Sequence, residues 1–172
     1  PAGVDPYKLT FDEVKKYSAA KDFERVGHSD FKVPERAPWA KAQGRPGPEV
    51  GSGFNTVRVY DGIAYLAGYN SPQTLFGVLI ADVRDPRNMK PLSFVPCRAG
   101  TRCNYLRVNR EKKILILNHD GDNSNPTRPP AGQMAEAGVS FHDVSNPSRP
   151  REIGFVRFVP NGAAHGLDAD AG

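Results

Sequence analysis

Hydrophobic residues along the chain change their period once. Phe11, Val14 and Tyr17 recur at helical spacing, and Thr10 followed by Glu13 makes a capping-box pattern, so a short helix is expected that fades near Asp22. From Lys32 to Gly53 four prolines and four glycines break any period, and the stretch reads as a long wrapping loop. After Gly53 the spacing becomes that of strands. "NTVRVY" alternates, "DG" turns the chain, and "IAYLAGY" returns, which predicts a hairpin. "GVLIADV" and "LSFVP" follow as a third and a fourth strand. The same order then recurs in "NYLRVN", "ILILNHD", "GVSFHDV" and "REIGFVRFV".

The recurrence extends to individual residues. When "GVLIADVRDPRNMKPLSF" is laid over "GVSFHDVSNPSRPREIGF", Gly77 falls on Gly138, Val78 on Val139, Asp82 on Asp143, Pro86 on Pro147 and Phe94 on Phe155. Two successive units of four antiparallel strands are expected, at residues 54–102 and 103–164. "HGLDADAG" (165–172) matches the first strand of a unit, with His165 on Asn104 and Asn55, and Leu167 on Leu106 and Val57. "FERVGHSDF" (23–31), within an N-terminal part spanning 1–53, resembles the last strand of a unit, since Val26-Gly27 matches Ile153-Gly154. Four-stranded units repeated in this way are the pattern of propeller blades, so the expected fold is all-β, a segment of a β-propeller with a short N-terminal helix. A propeller needs about four blades. The remaining blades are expected from the same polypeptide or from a second chain.

These motifs resemble the LVIVD-repeat proteins, a family of bacterial β-propellers. The likeness covers Phe23 to Gly172, with the Pro-rich stretch as an insertion. It implies a ring built from a longer chain and, often, an exported protein. More distantly the chain is similar to selenium-binding proteins, metal-binding propeller enzymes, from which no residue is carried over.

Charge and cysteine content narrow the function classes. The net charge is +4, but Lys and Arg are scattered among acidic residues, so nucleic acid is not an expected partner. No transmembrane segment is expected, because no stretch reaches the length of a membrane-spanning helix. The chain starts at "PAGVDPYKLT" without Met or signal peptide and reads as a mature or trimmed form. Cys97 and Cys103 in "PCRAGTRC" fit either a small disulfide loop in an oxidising compartment or two free thiols. A secreted or periplasmic location follows from the first alternative together with the resemblance.

Propellers place ligands at one mouth of the channel, beside the innermost strands. Asn55, Asn104 and His165 stand at the start of those strands, as a polar ring for a ligand or as local turn caps. Arg58 and Arg107 match in register three residues further on, either for a ligand or for pairing with acids between blades. His119 and Asp120 end a strand beside the polar loop "GDNSNP", and with His165 they could hold a divalent metal. Asp120, Asp122 and Ser124 alternate as at the start of a calcium loop, but Asn125 and Ala131 stand where glycine and glutamate belong. Asp82 and Asp143 read as turn residues that accept backbone N–H bonds, and His28 and His142 as structural or exposed. The expected function is an enzyme acting on a small molecule at the channel mouth, where His165, His119 and Asn104 would bind a metal or act as acid and base. The reaction class, hydrolase, lyase or metal-dependent oxidase, stays open. The rival is a non-catalytic propeller that binds a protein or cell-surface partner.

Overall fold

The computed structural model describes residues 54–68, 77–121 and 136–158, together with Asp12, Val26, Gly27 and Ser29. The described residues form two antiparallel sheets. The first holds β1 (Phe54–Tyr60), β2 (Ile63–Gly68), β3 (Gly77–Asp82) and β4 (Lys90–Pro96), in that spatial order. The second holds β6 (Leu106–Asn109), β7 (Ile114–Gly121), β8 (Gly138–Asp143) and β9 (Arg151–Arg157), with β5 (Thr101–Arg102) also on β7. Strand β5 falls in the stretch expected to close the first unit, but its partner is in the second. No closed barrel or ring is present among the described residues. Of the expected helix after Thr10 only Asp12 is among them, and it is helical; the rest lies outside the described residues. The expected outer strand near 23–31 is described only at Val26, Gly27 and Ser29, none of them in a strand, and 165–172 lies outside.

The residue-level recurrence has a structural counterpart. Asp61 and Gly62 both have positive φ, 51° and 74°, as the primed turn between β1 and β2 requires. Asp82 accepts the Arg84 N–H at 3.0 Å and Asp143 accepts the Ser145 N–H at 2.9 Å, the turn role read from the sequence. The following turns are closed alike, by Asn88 N–H to Asp85 O and Arg149 N–H to Asn146 O. Both β3/β4 and β8/β9 carry an irregularity at the same place, between Ile80 and Ala81 and between Phe141 and His142.

One face of the first sheet packs on the second. Tyr65, Ala67, Val78, Ile80 and Val95 meet Leu106, Leu115, Leu117 and Val144, with Ile63 and Val108 at the margin. Since side chains alternate along a strand, the opposite face of the first sheet carries the separate cluster of Ala64, Leu66, Leu79, Ala81 and Phe94. Polar links tie the two sheets along their length. Thr56 Oγ1 donates to Asn104 O at 2.8 Å, and Ser93 Oγ donates to Pro147 O at 2.5 Å. Asp61 on the first hairpin turn pairs with Arg110 at 3.0 Å and Lys113 at 3.3 Å on the second.

Candidate functional site

The two ends of the sheets differ. One end is closed by the short turns 61–62, 83–89, 110–113 and 144–150. From the other end leave the long connections 69–76 and 122–135 and the loop that joins the sheets, closed by a disulfide between Cys97 and Cys103. The buried polar side chains Thr56, Thr101, Asn104, Asn118, His119 and Asp120 gather at this second end. Ligand-contacting residues are usually carried by loops on a rigid scaffold, so this is the candidate functional end.

His119 is its most constrained member. It lies on the face of β7 that meets the first sheet, opposite Gly138. The Arg98 backbone N–H donates to Nδ1 at 3.2 Å, so the ring proton sits on Nε2. Nε2 donates to Ser140 Oγ at 2.7 Å, and the Ser140 hydroxyl donates in turn to His142 Nε2 at 2.8 Å. The four groups make a one-way chain of hydrogen bonds in which both imidazoles are neutral. Burial pushes His119 from an ordinary 6.5 down to about 3, and the Arg98 and His142 charges push the same way. His142 is also lowered, chiefly by burial, with Glu152 opposing and Arg98 assisting. Only 1% of His119 and none of Ser140 is exposed. A serine between two neutral imidazoles could relay a proton, yet this one is sealed between the sheets.

Arg98 caps the chain from the joining loop. Its guanidinium lies 3.8 Å from the centre of the Phe155 ring and pairs with Glu136 at 3.3 Å and Glu152 at 2.5 Å. Phe155 in turn meets the His119 ring edge-on, 5.9 Å between centres.

Of the other expected residues, Asn55 donates from Nδ2 to Asn104 O at 3.2 Å, so two positions aligned by the repeat touch across the sheets. The Asn104 side chain accepts from Asn118 Nδ2 at 2.8 Å, while Asn118 Oδ1 accepts the Tyr105 N–H at 2.8 Å. Arg58 donates to the carbonyl of its neighbour Val57 at 3.0 Å. Arg107 lies opposite Ile116, on the other face of the second sheet from His119. Asp120 follows His119 on the strand and therefore also points to that other face, where Arg102 grips it through Nε at 3.0 Å and Nη2 at 2.9 Å. His165, Asp122 and Ser124 lie outside the described residues. Among the described residues no group of three or more His, Cys, Asp or Glu is placed to hold a metal ion, and no helix is long and apolar enough to cross a membrane.

Ser140 and Arg98 carry no site signal in the sequence reading, and His142 reads there only as structural or exposed. A signal exists for Ser140 and His142: they alternate on one face and stand where the first unit has Leu79 and Ala81. No family model, no curated protein and no solved structure matches the chain.

The hydrogen bond from Thr56 is the shorter of the two on Asn104 O. Thr56→Val keeps the shape and removes the donor, so it is expected to lower stability by about 1 kcal/mol in urea denaturation.

Proposed function

We propose that the two sheets are adjacent blades of an LVIVD-type β-propeller, and that the protein is a binding scaffold whose recognition surface is the end bearing the long connections. The observation that carries this reading is the sealing of the His119–Ser140–His142 chain between the sheets. A catalytic or metal-ligating histidine must reach its ligand, whereas this one spends both ring nitrogens on the protein. The polar chain instead ties β7, β8 and the joining loop together under the first sheet, a structural role open to buried polar groups that are fully bonded. Export to an oxidising compartment belongs to the same proposal and is supported by the disulfide.

A second reading keeps an enzyme at this end, acting on a small molecule with a divalent metal bound through His119, Asp120 and His165. The neutral state of His119 favours it, since that is the form that binds a metal or accepts a proton. The opposite directions of His119 and Asp120 weigh against that donor set. The test is the metal content of natively purified protein, joined to acylation of histidine by diethylpyrocarbonate. The scaffold reading expects no stoichiometric transition metal and a protected His119. About one metal per chain, lost in His119→Ala, would replace it by the enzyme.

A further inference from the structure

The first sheet has a closed face that the second sheet does not close. Ala64, Leu66, Leu79, Ala81 and Phe94 point away from the second sheet, and none of them is more than 8% exposed. Val57 and Val59 share that face, opposite Leu66 and Ala64, but they stand on the edge strand β1 and are 46% and 53% exposed. By the repeat, this face corresponds to the face of the second sheet that the first sheet covers, because Leu79, Ala81 and Phe94 hold the places of Ser140, His142 and Phe155.

A contact from the N-terminal part lies at the edge of this face. Gly27 sits so close to the Pro86 carbonyl that a side chain there would collide with it. Pro86 is the counterpart of Pro147, and Pro147 O accepts the hydrogen bond of Ser93 Oγ at 2.5 Å. Ser93 corresponds to Gly154, and Gly154 to Gly27. The first sheet therefore touches the turn 144–150 of the second at the same repeat position with which the N-terminal part touches the turn 83–89 of the first. Where Ser93 reaches the carbonyl with a hydroxyl, glycine lets the backbone itself come close.

We propose that residues 23–31 are the fourth strand of a blade that precedes the first sheet, seated on the β3–β4 half of its outer face. The occupant is a segment of this same chain, and its place rests on the propeller reading. A fourth strand by itself covers β3 and β4 and leaves β1 open, which accounts for the contrast between Leu79 or Phe94 and Val57 or Val59. Its contact with Pro86 is at the end with the short turns, so it closes an apolar face without occupying the end with the long connections.

The test is through-space proton contacts in the isotopically labelled full chain, joined to peroxide oxidation of Met89, which packs against the same face. Contacts from the Gly27 α-protons to Pro86 are expected. In Gly27→Val, whose side chain would push the segment off the turn, Met89 should oxidise several-fold faster. Missing contacts, or a Met89 rate unchanged in that variant, overturn the proposal. Ser93→Ala separates it from the propeller reading. This variant removes the equivalent link between the two sheets and should lower the melting temperature by about 3 °C. A neutral Ser93→Ala would count against the blades and the strand assignment together. Missing Gly27 contacts beside a destabilised Ser93→Ala would overturn the strand assignment alone.

Discussion

Lowering the pH from 6.5 to about 4 is expected to remove about 3 kcal/mol of folding stability, in a window above that of the depressed carboxylates. The cause is His119. Its folded-state value of about 3 lies below the ordinary 6.5, so between those limits the unfolded chain binds a proton that the folded chain refuses. Stability is therefore fully present above pH 6.5 and is lost as pH falls towards 3, at about 1.4 kcal/mol per pH unit. His142, also lowered, adds to the slope. The depressed carboxylates Asp61, Asp82 and Asp143 act in the same direction but in a lower window, below 3.8. A drop of this size is a large part of the total stability of an ordinary domain. Urea denaturation between pH 7 and pH 4.5 measures it. His119→Gln should be less stable at pH 7 and show a shallower slope. A wild-type curve flat across that range would mean that the imidazole is free to charge.

The second large effect concerns two glycines. A Cβ added at Gly138 would stand 2.2 Å from the Val156 carbonyl oxygen and 2.8 Å from the Phe155 ring. At Gly77 it would stand 2.3 Å from the Val95 oxygen and 2.4 Å from the Phe94 ring. In both units the aromatic ring of the fourth strand lies over the glycine that opens the third, so backbone and ring would have to move together. Gly77→Ala and Gly138→Ala are each expected to cost about 3 kcal/mol. Gly154→Ala is the control: its Cβ would find only Phe141 at 3.8 Å, an ordinary contact, and stability should be unchanged or slightly raised. Thermal melts of the three variants separate these outcomes. Equal stability of all three would show that the rings do not lie over Gly77 and Gly138.

The strands and their pairing are legible in the sequence because both signals are local. Alternation marks the faces of β1, β2, β7 and β8, and "DG" marks the first turn. The pairs Asp82/Asp143 and Gly77/Gly138 carry the recurrence in their identities alone. The candidate site is less legible, because it is made by register. Ser140 comes to His119 only through the pairing of β7 with β8, and Arg98 reaches both β9 and Glu136 from a loop without periodicity. The alignment of Asn55 with Asn104 identifies equivalent places but not that they touch. Alternation also bears on the metal expectation. Neighbours on a strand face opposite ways, so His119 and Asp120 are poorly suited to share a ligand.

The most direct measurement is the ring-nitrogen spectrum of the four histidines in isotopically labelled full chain, with His119→Gln and His142→Gln to assign the signals. A sealed, neutral chain between the sheets predicts His119 carrying its proton on Nε2, His142 carrying its proton on Nδ1, and neither titrating near 6.5. Titration of His119 near 6.5, or its proton on Nδ1, would contradict it and return that imidazole to the solvent-facing role of a site residue.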